Sequence, residues 1–143
     1  MRVDSQPVKL SLNKPCPCHS GKKAKSCCAP ILGGAPAAHP EALMRSRYTA
    51  YAIGSIAHIM ATTHPSSPHH QLETAQWSAE ILAFSSAMDF EGLIIYEAGE
   101  QEDRGWVHFS ARLSERGEDR SFGERSTFFR VDGRWLYHSG VSD

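Results

Sequence analysis

The chain has 143 residues, 41% hydrophobic and 22% charged, with a formal net charge of −1. That suits one compact domain with a small appended module and is too short for two full domains. No run approaches the about 18 apolar residues a membrane span needs, and residues 1–12, MRVDSQPVKLSL, lack the apolar stretch of a secretory signal, so no membrane association and a cytoplasmic location are expected.

The near-zero charge conceals a split. Residues 1–30 carry Arg2, Lys9, Lys14, Lys22, Lys23 and Lys25 against Asp4, whereas the remainder carries nine arginines against fifteen acids. All four cysteines fall in the basic segment, in CPCHSGKKAKSCC (16–28). Their spacing is C-x-C-x8-C-C, and in a reducing compartment clustered thiols bind metal or do redox work more often than they form disulfides. Four thiolates match the tetrahedral soft-ligand preference of Zn2+ and leave no open position, so Cys16, Cys18, Cys27 and Cys28 are expected to hold one structural Zn2+. Lys22, Lys23 and Lys25 would offset the negative charge of that site. Three alternatives are weighed against zinc, of which haem attachment is excluded in its usual form because CPCH is one residue short of C-x-x-C-H. An adjacent Cys27–Cys28 bridge would be strained, and redox catalysis lacks the C-x-x-C spacing.

APILGGAPAAHP (29–40) is turn-forming and marks a linker over 32–39, between a module at 1–31 and a domain at 40–143. Pro40 suits the first turn of a helix. From there to about Thr63, Met44, Tyr48, Tyr51, Ile56, Ile59 and Met60 recur at helical spacing, and Gly54 predicts a kink or a helix pair. HPSSPHH (64–70) reads as a loop. Residues 71–88, with Leu72, Trp77, Ile81, Leu82 and Met88, predict a further helix or two short ones.

Beyond residue 90 the period changes to two. GLIIYEA (92–98), WVHFSARL (106–113), ERSTFFRV (124–131) and RWLYHSG (134–140) read as strands, with EAGEQEDRG and SERGEDRS as solvated turns. Asp132-Gly133 is a two-residue hairpin signal. It sets a register in which Phe128 faces Tyr137, Arg130 faces Trp135 and Phe129 faces Leu136. Helices followed by an antiparallel meander predict an α+β domain.

The cysteine stretch resembles the SEC-C motif, a zinc-binding element also found at the C-terminus of the secretion ATPase SecA and usually close to CPCGSGKKYKKCC. The motif's ligands fall on Cys16, Cys18, Cys27 and Cys28, while His19 replaces a glycine and Ala24 an aromatic residue. If that glycine needs positive φ, His19 carries some backbone strain. PEALMRSRYTAYAIGSIAHIMATTHPS and ERSTFFRVDGRWLYHSG are similar to the corresponding stretches of the YchJ family, in which a SEC-C motif precedes an NTF2-like domain. The resemblance implies an NTF2-like, cystatin-like cone of helices on a curved antiparallel sheet. It implies no chemistry, because that fold hosts enzymes and binding modules alike.

Such cones often enclose a pocket. Polar residues expected to point into it are Arg45, Arg47, Tyr48 and Tyr51 from the helix and Glu124, Ser126, Trp135 and Tyr137 from the strands, with Arg47, Tyr48, Tyr51, Glu124, Trp135 and Tyr137 the main candidates. The bland reading of the same residues is a structural ion pair and satisfied aromatic core. The histidines show no metal-binding spacing. Two functions follow. The first is a non-enzymatic adaptor whose basic zinc module meets an acidic protein surface; nucleic acid suits it less, since the module has no aromatic residue to stack on bases. The second is an enzyme or carrier using the cone pocket on a small molecule. A homodimer fits either.

Overall fold

The computed structural model describes residues 9–143. Arg2, Asp4 and most of the stretch read as unlike a secretory signal lie outside the described residues. A 3-10 turn over Ala24–Ser26 is followed by α1 (Ala29–Leu32), α2 (Pro40–Ile53), α3 (Ile56–Ala61) and α4 (Thr74–Ala87). The sheet then runs β1 (Asp89–Gln101), β2 (Arg104–Glu115), β3 (Glu118–Asp119), β4 (Phe122–Val131) and β5 (Arg134–Ser142).

Helix α2 starts where the sequence places it. Pro40 occupies the first turn, and the His39 imidazole Nδ1 accepts from the Ala42 N–H at 3.2 Å, satisfying one of the helix's orphan donors. Gly54 ends it in the left-handed region, φ 78°, and the chain restarts as α3, so the kink is a helix pair. Residues 71–88 yield one helix. Leu72 precedes it and is 93% exposed, so it belongs to no buried face.

The sheet is antiparallel in the order β1-β2-β4-β5, with β3 a short addition to β2. Asp132 (φ 50°) and Gly133 (φ 79°) form the β4–β5 turn, and the pairs Phe128–Tyr137, Phe129–Leu136 and Arg130–Trp135 have the expected register. EAGEQEDRG is mostly strand, because β1 pairs with β2 as far as Gln101–Arg104 and only Glu102 and Asp103 turn. No Gly, Asn or Pro marks that reversal, and its charged residues suit both a solvated turn and an exposed strand end. One face of the sheet buries Leu93, Val107, Phe109, Ala111, Leu113, Phe128 and Trp135 beneath the helices. Leu43 of α2 is 2% exposed in the same cluster, and burying such a side chain contributes about 1.5–3 kcal/mol.

The cysteine module is packed on this body. Cys16, Cys18, Ala24 and Cys28 share one buried cluster with Leu43 and Tyr48 of α2. Within 32–39, Ala37 is 7% exposed, and the Gly34 carbonyl accepts from Arg134 Nη1 at 3.1 Å. Residues of the 32–39 linker thus touch the body, and the module has an interface with it.

Candidate functional site

The module's backbone folds inward before any side chain is considered. The Cys16 N–H donates to the Lys22 carbonyl at 2.8 Å, the Ala24 N–H to that of Lys14 at 3.0 Å, and the Cys27 N–H to that of Ala24 at 3.0 Å. His19 takes φ 62° and Gly21 φ 87°, which closes the loop between the two cysteine pairs. The expected strain at His19 is thus present, in a region that His visits more readily than most residues. Its ring lies edge-on to Tyr48, with centroids 5.8 Å apart.

These turns bring the four sulfurs within 4.8 Å of one another, the one such grouping of metal-capable side chains among the described residues. Cys18 and Cys27 are 3.5 Å apart, and Cys27 and Cys28 4.0 Å. Cys16, Cys18 and Cys28 are buried and Cys27 is half-buried. The four thiols interact through hydrogen bonds and charge. Hydrogen bonds from Cys16 and Cys28 hold the Cys18 thiol far below its ordinary value, while the bonds to Cys16 and Cys18 push Cys28 far above it. A cation bound by these sulfurs would displace their protons.

The surroundings of the sulfurs were not legible in the motif. Thr49 of α2 donates its hydroxyl to Cys28 Sγ at 3.4 Å and lies 3.8 Å from Cys16 Sγ. Arg45 Nη1 donates to the Cys18 carbonyl at 3.1 Å and reaches its sulfur at 3.9 Å, while Arg45 Nε is paired with Glu41 at 2.9 Å. Arg45 is therefore no part of the cone interior, contrary to expectation. It sits four residues before Thr49, one helical turn, on the face of α2 that meets the cysteines. Ser20 contributes from within the motif, its hydroxyl 3.2 Å from Cys27 Sγ.

A different face of α2 looks into the cone. A cavity of about 340 Å³ there is lined by Arg47, Tyr48, Tyr51, Glu124, Ser126 and Tyr137, among others, with apolar walls that include Phe84, Phe90, Phe109 and Leu113. Five of the six main pocket candidates thus meet in one space. Trp135 is the exception: it shares their sheet face but is 2% exposed and packs at the far end, against Gly105 and beside Pro40. It lies two residues from Tyr137, a step of about 6.6 Å along a strand, which carries it past the cavity. A period of two gives a residue's face and says nothing of its depth.

The expected ion pair does not form. Arg47 is 7% exposed and donates from Nη1 to the Ile59 carbonyl at 3.2 Å, Thr62 Oγ1 at 2.8 Å and Thr63 Oγ1 at 3.1 Å, with the guanidinium 4.6 Å from the Tyr137 ring centroid. Glu124 Oε2 instead accepts from the Ser126 hydroxyl and, at 3.2 Å, from the Tyr137 hydroxyl. Burial and the neighbouring Glu124 carboxylate push the Tyr137 phenol above its ordinary value, so it is a donor and not a base. Burial pushes Tyr48 up to about 12, and its oxygen accepts from the Gly92 N–H at 3.2 Å. Gly140 makes room for Glu124, since a Cβ there would lie 2.2 Å from that carboxylate.

Residues 39–140 match the family model described as the YchJ middle NTF2-like domain, and residues 13–30 match the SEC-C motif. The chain belongs to the YchJ family. A UPF0225 protein of Pectobacterium carotovorum is 38% identical over 136 residues, covering 91% of this chain and 84% of its own. The solution structure of a SEC-C motif containing protein from Rhodopseudomonas palustris is similar to this chain at a TM-score of 0.78 and 36% identity, covering 91% of this chain and 99% of that one. The crystal structure of a SEC-C motif containing protein from Psychrobacter arcticus shares the fold at a TM-score of 0.73 and 21% identity, over 92% of this chain and 84% of that one. The α+β NTF2-like cone preceded by a SEC-C cysteine cluster is thereby established, and the cluster is a metal-binding candidate. Among the described residues no helix is long and apolar enough to cross a membrane.

Proposed function

We propose that this YchJ-family protein is a zinc-clamped, non-enzymatic binding protein whose basic module docks on an acidic protein surface. The observation that carries the reading is the closed sulfur cluster with hydrogen-bond donors supplied from the neighbouring domain. Sulfurs about 2.3 Å from Zn2+ at the corners of a tetrahedron lie about 3.8 Å apart, and the 3.5 and 4.0 Å separations bracket that edge. Four thiolates give the site an excess of two negative charges, so donors from Thr49, Arg45 and Ser20 favour it. With every ligand position filled, the metal has no open site for chemistry and acts as a clamp.

What the clamp holds is a charged surface. Lys14, Lys22, Lys23 and Lys25 are all exposed on the module, and folding around one metal fixes their relative positions. A rigid cationic patch meets an acidic partner with less ordering cost than a flexible tail. Elemental analysis should find one zinc per chain. In pull-downs, the Lys22→Glu, Lys23→Glu, Lys25→Glu variant should keep its zinc and lose its partners; retention of every wild-type partner would sink the docking reading.

The cavity supports a second reading, in which the cone holds a small molecule. A 340 Å³ space walled by aromatic and aliphatic side chains, with a few convergent polar groups, has the size and composition of a ligand pocket. Displacement of a bound apolar dye by small organic molecules tests it.

A further inference from the structure

Arg47 is a buried residue with a positive charge, and its guanidinium is hydrogen-bonded through one nitrogen only among the described residues. All of its hydrogen bonds within the described residues leave from Nη1, and none of those acceptors carries a charge. Nε and Nη2 have no hydrogen-bond partner among the described residues, although the side chain is only 7% exposed and lines the cavity. A guanidinium is never neutral in a protein, and burial disfavours this one, an effect that the nearby Glu124 carboxylate offsets only in part and without direct contact. Glu124, which faces the same space, is already bonded by two hydroxyls and forms no ion pair with Arg47 among the described residues. The Nε and Nη2 edge of Arg47, on a residue that lines the cavity, is a fork of two parallel N–H donors, the geometry that receives a carboxylate.

The rest of the cavity specifies the body of the ligand. Phe84, Phe90, Phe109, Leu113, Ile81 and Met44 offer apolar contact. A dry cavity of about 150 Å³ holds benzene, so one of about 340 Å³ takes a group roughly twice that size. Glu80 and His69, both exposed, mark the solvent end.

We propose that the cone cavity binds small carboxylic acids with an apolar, two-ring-sized body, the carboxylate seated on the Nε and Nη2 edge of Arg47. The inference rests on the small-molecule reading of the cavity and adds the charge and anchor of the ligand. The walls explain affinity, and the guanidinium fork explains orientation.

The test uses the full-length metal-loaded protein and three probes of one shape: 2-naphthoate, 2-naphthylmethanol and 2-naphthylmethylamine. Titrations followed by amide and indole NMR shifts should place 2-naphthoate at least tenfold tighter than the alcohol, and tighter still than the amine. The shifted signals should cluster at Trp77, Phe109 and Arg47. Arg47→Lys should weaken 2-naphthoate at least tenfold and leave the alcohol unchanged; if that variant does not fold, the three-probe ranking on the wild type decides. Equal binding of acid and alcohol would overturn the Arg47 anchor and leave the cavity reading standing. Tightest binding of the amine would overturn it in favour of Glu124. Binding of none of the three would overturn both.

Discussion

Helix α2 works on two sides, and the two sides are built differently. On one, Arg45 and Thr49 meet the cysteine module, where every sulfur lies close to another and the nearby donors are used. On the other, Arg47 and Tyr51 face a cavity in which a guanidinium edge has no partner among the described residues. The first side closes on itself once a cation is present. The second remains open even when the chain is folded. A polar site that can be completed by the protein and one metal is structural, whereas one that needs a further group points to a ligand.

Breaking the closed side should have the largest effect. Removal of the metal, or Cys16→Ser with Cys28→Ser, uncovers Leu43 and Tyr48 of the shared cluster. Thermal unfolding should show a loss of about 3 kcal/mol or more, roughly 10 °C in Tm. Amide exchange should accelerate in α2 as well as in residues 14–30. Exchange confined to 14–30 would mean that the module and cone are energetically independent.

Acid should separate the sides next. The His58 imidazole is held down to about 4 by burial and by the Arg47 charge, and its Nε2 lies 2.9 Å from Ser46 Oγ. A histidine with a folded value below its unfolded value of about 6.5 contributes stability that is complete above about pH 7 and lost as pH falls from 6.5 to 4. Half-burial leaves about 2 kcal/mol for this group after screening by solvent. The difference between the wild type and His58→Gln in denaturant midpoints across that window isolates it from acid release of the metal.

Two smaller substitutions sharpen the contrast. Thr49→Val keeps the shape of the side chain and removes the hydroxyl that reaches Cys28 Sγ at 3.4 Å. It should cost about 1 kcal/mol and weaken metal affinity roughly 10–100-fold in chelator competition, with the cavity undisturbed. His19→Gly relieves a φ of 62° but loses the edge contact with Tyr48 and adds unfolded-state freedom. These effects are each about 1 kcal/mol and oppose one another, so Tm should move by no more than about 2 °C.

Much of this was readable from local chemistry. Asp132-Gly133 supplies the two positive-φ residues that set the β4–β5 register, and Gly54 does the same for the break between α2 and α3. The cysteine spacing identifies the metal-binding candidate because all four sulfurs come from one short loop. Arg47, Tyr48, Tyr51, Glu124 and Tyr137 meet because helical and strand periods place them on faces that the fold turns toward each other.

Where the reading failed, the missing quantity was position in space. Arg45 lies two residues from Arg47, which on a helix is a rotation of about 200°, and only the docked module decides that its side is occupied by cysteines. Trp135 has the right face and the wrong depth. Thr49 has no motif to mark it, because a hydroxyl gains its role from a sulfur 21 residues earlier in the chain. Amino-acid order by itself determined which groups repeat, turn and cluster as metal-binding candidates, since those depend on neighbours within a few residues. Tertiary structure alone decided which charges are paired, because pairing depends on contacts between segments that local periodicity does not relate.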